Sequence, residues 1–154
     1  MVYSILDALN IARKNPDKKV IFPGIGFETT APTSAVAILN ANAENLENFY
    51  LYSSHKIMPP AMEALIDEGV ELNGYIAPGH VSTITGSGIY KAIPEKFGLG
   101  CVISGFEPVD ILQSIYMLVK QYETNSPKVE IQYKRVVKPE GNVKAQEMMN
   151  EVFE

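Results

Sequence analysis

Tryptophan is absent from this chain, cysteine occurs once and histidine twice. The single cysteine, Cys101, cannot close an internal disulfide. Nor can it supply the four thiolates of an iron–sulfur cluster or of many structural zinc sites. Basic charge is also scarce. Thirteen Lys and Arg against 18 Asp and Glu leave a net charge of −5, whereas binding to nucleic acid rests on clustered positive charge. The basic clusters Arg13-Lys14 with Lys18-Lys19, and Lys134-Arg135 with Lys138, stand among acidic residues and read as solvated faces. No apolar run approaches the ~18 residues of a membrane span. The N-terminus has no charged-then-apolar leader pattern either. Neither nucleic acid nor membrane is therefore expected as a partner, and a cytoplasmic location is the default.

What is present suits one ordinary domain: 154 residues, 46% of them hydrophobic. Ser4 is placed to cap a helix carrying Ile5, Leu6, Leu9 and Ala12, and Asn15-Pro16-Asp17 ends it. Four short strands follow, at Lys19 to Ile25, Phe49 to Ser53, Gly74 to Ala77 and Gly100 to Ser104. Between and after them lie helices: one beginning near Pro32, one from Pro59-Pro60 to about Glu68, one over Ser87 to Phe97, and one over Val109 to Tyr122. The last carries an apolar stripe of Ile111, Leu112, Ile115, Leu118 and Val119. Val129 to Tyr133 alternates like a half-exposed edge strand, and Asn142 to Phe153 reads as a final helix. Strands alternating with helices imply βαβ units. The expected fold is α/β, a mostly parallel sheet with helices on both faces in a Rossmann-like three-layer sandwich.

Open parallel sheets bind ligands beyond the carboxyl ends of their strands. The segments there are rich in chemistry: Glu28, Thr29 and Thr30 after the first strand, Ser54, His55 and Lys56 after the second, His80 and Ser82 after the third, Glu107 and Asp110 after the fourth. Each type also has a purely structural use. Thr29, Thr30, Ser54 and Ser82 suit helix caps, and Glu28 and Glu107 suit helix N-termini. Cys101 opens a buried strand and reads as core, as do most of the methionines. The stretch Gly86-Ser87-Gly88 suits an anion at a helix start, but lacks the full dinucleotide or P-loop pattern. One reading of these residues is a small enzyme, with Glu28 or Glu107 as general base and Lys56 binding an anionic substrate. Another is a module that only docks partners.

Four segments together carry a more specific signal. They are Gly24-Ile25-Gly26-Phe27-Glu28-Thr29-Thr30-Ala31-Pro32; Ser54-His55-Lys56 with Pro59-Pro60-Ala61; Pro78-Gly79-His80-Val81-Ser82 with Ile84 and Gly86; and Gly105-Phe106-Glu107-Pro108 with Asp110-Ile111-Leu112. In this order and spacing they resemble successive signatures of the HypD family of [NiFe]-hydrogenase maturation proteins. The resemblance implies a non-enzymatic scaffold that works with HypC and HypE while the Fe(CN)2CO group is built. It implies two related α/β domains and a C-terminal domain with a [4Fe–4S] cluster. Residues 1–154 would form a single α/β domain from the central, mostly second, α/β region. Glu28, Thr29, Thr30, Ser54, His55, Lys56, His80, Ser82 and Glu107 would line or support a cleft surface for iron assembly, with His80 as a metal contact. The family's N-terminal cysteine motifs and cluster cysteines have no counterpart here, so no cofactor is expected in this chain. Met1 before Val2, and an end on Glu154 without turn chemistry, read as the limits of an excised region.

Overall fold

A computed structural model describes residues 1–153. In chain order the elements are α1 (Ile5–Lys14), β1 (Val20–Gly26), α2 (Ala31–Ala43), β2 (Phe49–His55), α3 (Met58–Asp67), β3 (Gly74–Pro78), α4 (Gly79–Thr85), a 3-10 turn (Gly88–Tyr90), α5 (Ala92–Phe97), β4 (Gly100–Ser104), α6 (Pro108–Glu123), β5 (Val129–Ile131) and α7 (Val143–Val152). The fold is α/β, and every strand pairing is parallel, as expected. The pairing makes two sheets, β1-β2 and β3-β4-β5. The chain divides into two compact units: Met1–Lys56 with the segment from Lys144 onward, and Ile57–Val143.

In the first unit Ser4 caps α1 as expected. Its hydroxyl accepts from Asp7 N (3.2 Å), and Asp7 accepts in return from Ser4 N (3.1 Å), so both ends of this box satisfy amides the helix leaves unpaired. Strands β1 and β2 run in register from Val20↔Phe49 to Gly26↔His55. Side chains alternate across a strand. Val20, Phe22, Phe49 and Leu51 therefore turn to α1 and α2 and join Leu9, Ala12, Ala37 and Ala41 in one core. The alternate residues Ile21, Ile25 and Tyr52 lie on the other face and are exposed.

The second unit is organised around β4, buried along its whole length. One face, Cys101 and Ile103, packs with Ala77 of β3, Met62 of α3, Tyr90 of the 3-10 turn and Ile93 of α5. The other face meets α6. There Gly74 and Gly100 leave room for Leu118, whose Cδ2 would lie 3.1 and 3.2 Å from added Cβ atoms. Helices thus cover both faces of β4.

The structure departs from the sequence reading at several places. Ser54 and His55, read as lying after the second strand, are the last two residues of β2. Gly79-His80-Val81-Ser82 is the first turn of α4 rather than a loop, with Pro78 at its N-cap. The expected helix from Ser87 to Phe97 is a 3-10 turn followed by the short α5. The largest departure is in α6. Leu112, Ile115 and Val119, placed in its apolar stripe, are exposed, while Asp110, Ser114 and Gln121 face inward. Each buried polar group has partners. Asp110 meets Arg135 and Gln132, the Ser114 and Ser104 hydroxyls lie 2.8 Å apart, and Gln121 bonds Lys128 N and Glu130.

Candidate functional site

In the first unit β1 ends on Gly26 at φ +148°, where a Cβ would come within 2.1 Å of Thr30 Oγ1. Glycine is required there, because the chain folds Thr30 back onto the strand end. The Thr30 hydroxyl then donates to Phe27 O (3.1 Å) and makes no cap bond to α2. Lys56 N donates to Gly26 O (2.9 Å), holding the ends of β1 and β2 together.

His55 is the centre of this end. Its Nδ1 lies 2.9 Å from Ser53 Oγ and its Nε2 3.5 Å from the buried Ser34 Oγ. Its ring sits over Gly24, where a Cβ would be 2.8 Å from Cε1. The edge of Phe153 closes the other side, with ring centroids 5.7 Å apart. Burial pushes the imidazole pKa down, which favours the neutral ring. Thr29, Thr30, Ser34 and His55 line one pocket of about 320 Å³ with Phe22 and Tyr3. Glu28 is buried beside this turn. Ser54, one residue before His55, points to the opposite face and is exposed, as is Lys56. The structure thus brings together Thr29, Thr30 and His55.

The second unit places its chemistry at the carboxyl ends of β3, β4 and β5. His80, in the first turn of α4, is exposed and stacks on Phe106, with ring centroids 4.2 Å apart and planes inclined 39°. Phe106 meets Tyr133 edge-on at 6.4 Å, and the Arg135 guanidinium lies 4.5 Å over the Tyr133 ring. Arg135 also grips Asp110 with both terminal nitrogens (2.8 and 2.5 Å) and reaches Glu107 at 3.7 Å. That guanidinium, helped by the Gln132 amide, holds the Asp110 carboxyl well below the usual carboxylate range. Glu107 is the N-cap residue of α6, and its own N–H donates to Asp110 Oδ2 (3.3 Å). Ser82 is not on this surface. It is fully buried, and its hydroxyl donates to Pro78 O (2.9 Å) and lies 3.3 Å from the Tyr90 hydroxyl.

Sequence reasoning singled out His80, Glu107 and Asp110 but not Phe106, Tyr133 or Arg135. Arg135 had been grouped with its basic neighbours as solvated. The signal available was its position just after the last strand, on the same edge as two carboxylates. The Gly86-Ser87-Gly88 stretch has a structural use. Gly86, at φ +75°, lets the chain approach the 139–141 segment so closely that a Cβ would lie 2.2 Å from Pro139 O. Ser87 N donates to that same carbonyl (3.0 Å).

Among the described residues no three His, Cys, Asp or Glu are grouped to hold an ion. Cys101 is 0% exposed, and burial pushes its thiol up to about 12, so it offers no thiolate. The residues do not fit a four-thiolate cluster.

Comparison with known proteins shows what the chain is similar to. The family model described as "Hydrogenase formation hypA family", named HypD, matches residues 1–154. A hydrogenase expression/formation protein of Methanocaldococcus jannaschii is 49% identical over 154 residues, covering 100% of this chain and 43% of that protein. Hydrogenase maturation factor HypD2 of Bradyrhizobium diazoefficiens is 44% identical over 161 residues, covering 100% of this chain and 42% of that protein. Hydrogenase maturation factor HypD of Escherichia coli is 43% identical over 156 residues, covering 99% and 41%. The chain spans about two-fifths of the length of these relatives. Four ordered signatures, a parallel α/β fold and a match along the whole chain place it in the HypD family of hydrogenase maturation factors.

Proposed function

We propose that this chain is a scaffold domain for assembly of the Fe(CN)2CO group of [NiFe]-hydrogenase, acting in the cytoplasm with HypC and HypE. No helix among the described residues is long and apolar enough to cross a membrane, and the relatives are named as maturation factors. The iron is cargo in this reading. Its thiolate ligands come from outside the 154 residues, since Cys101 is sealed in the core.

The observation that carries the proposal is the His80–Phe106 pair. An exposed imidazole rests on an aromatic ring at the carboxyl ends of parallel strands, which fixes the plane in which its nitrogens are presented. Cyanide nitrogens accept hydrogen bonds. His80 is such a donor in the second unit; taken by itself, the first unit offers the exposed Thr29 and Lys56, while the Thr30 hydroxyl is engaged by Phe27 O and Ser54 lies on the opposite face. Glu28, His55, Ser82 and Glu107 support the turns that carry those donors.

The test is His80→Ala, made at the matching position of a relative that spans the family length, such as the E. coli factor. The variant is expected to melt like the parent, because the side chain it removes is exposed. It is expected to capture HypC with less iron and to lower hydrogenase activity in the cell. Unchanged iron in the HypC complex would remove His80 from the assembly surface.

A further inference from the structure

The aromatic and charged groups at the end of the second unit's sheet form one connected lock. Tyr133 is its key. Its ring lies between two glycines from different turns. A Cβ on Gly79 would be 2.7 Å from Tyr133 Cδ1, and one on Gly105 would be 2.8 Å from Tyr133 Cδ2. Gly79 precedes His80 and Gly105 precedes Phe106. The ring therefore sets the distance between the turn that carries the imidazole and the turn that carries its platform.

Tyr133 is held in turn by Arg135, which covers its face at 4.5 Å. A guanidinium is planar, so it can stack on a ring and still direct paired N–H groups at a carboxylate. Arg135 does both, because it also takes Asp110 at 2.8 and 2.5 Å. Asp110 then accepts from Glu107 N (3.3 Å), which fixes the residue after Phe106. Gln132 closes the circuit. Its amide donates to Asp110 Oδ1 (2.9 Å), and its carbonyl oxygen accepts from Gly105 N (3.1 Å). The Gly105-Phe106-Glu107 turn is thus pinned on both sides of the aromatic residue, and Arg135 joins the face of the ring to the carboxylate.

We propose that Arg135 is the positioning residue for the His80–Phe106 pair: by clamping Tyr133 and Asp110 together it fixes the platform on which the His80 imidazole is presented. Its functional consequence rests on the scaffold reading above. Arg135 touches neither the iron nor its ligands in this scheme. A single ammonium could replace its charge but not its shape.

The chain has only two histidines, which makes the test direct. A ring stacked at 4.2 Å on Phe106 carries an upfield ring-current displacement of its protons. His55, in the other unit, serves as internal reference. In Arg135→Met the His80 ring protons are expected to lose most of that displacement while those of His55 stay in place. Arg135→Lys, which keeps the charge, is expected to restore little of it, and it gives the reading should the methionine variant fail to fold. Tyr133→Phe keeps the ring and is expected to leave the His80 signals unchanged. His80 signals that do not move in either Arg135 variant would overturn the proposal. The matching Arg135→Lys change in the E. coli factor is expected to lower iron in the HypC complex as His80→Ala does. If the ring signals move and iron loading does not, the lock stands and the scaffold reading fails.

Discussion

Replacing Tyr90 with alanine is expected to destabilise the second unit by about 3–5 kcal/mol, the range for removing a large aromatic from a packed core. Tyr90 heads the largest fully buried side chains of the chain at 0% exposure. It packs in the cluster of Met62, Ala77, Ile93, Cys101 and Ile103, beneath the fully buried β4. A cavity that size cannot close without moving the short α5, which has only Ile93 fully inside. Tyr90→Phe keeps the ring and removes only the hydroxyl near Ser82; its expected cost is about 1 kcal/mol. Denaturant titration followed by labelling of Cys101 measures both, because that thiol is buried in the same cluster and becomes reactive only when the cluster opens. A loss under about 1 kcal/mol for the alanine variant would mean that Tyr90 does not anchor this core.

The second large effect is expected at Gly79. A Cβ there would meet the Ser104 carbonyl oxygen at 2.4 Å and Tyr133 at 2.7 Å. Its backbone angles are ordinary, so the obstacle is space and not conformation. The oxygen belongs to the end of β4 and cannot give way without opening the strand end, unlike the tip of a flexible side chain. Gly79→Ala is therefore expected to cost about 1–3 kcal/mol, as overpacking does, and to shift His80 off Phe106. Gly88→Ala is the matched control. Nothing lies within 4 Å of its added Cβ, and its stability is expected to stay within about 0.5 kcal/mol of the parent. Equal melting curves for the two variants would refute the close approach of the β3 and β4 ends.

The strands were legible because they depend on local signals. Runs of β-branched and aromatic residues bounded by Gly, Pro and Asn place Phe49, Gly74 and Gly100 at strand starts, where the structure also has them. Helix α1 was legible from Ser4 and Pro16 for the same reason. The α6 face was not. Periodicity shows which residues share a stripe but not which stripe meets the sheet. Against Gly74 and Gly100 the sheet offers room for Leu118 and hydrogen-bonding partners for Ser114 and Gln121. Arg135 draws Asp110 to the same side. Ser82 was read as a surface hydroxyl for a similar reason: Pro78-Gly79 resembles a turn, yet the chain enters α4 there and rotates Ser82 into the core.

Residue order alone settled the family, the parallel α/β class and the segments that bear His55, His80 and the carboxylates, because each of these follows from short-range pattern and motif spacing. Which of those side chains face water, and which neighbours hold them, was decided only in three dimensions. His80 owes its place to Phe106, Tyr133 and Arg135, residues 26 to 55 positions away along the chain. Contacts over such separations come from packing two turns against one ring, and no local propensity encodes that.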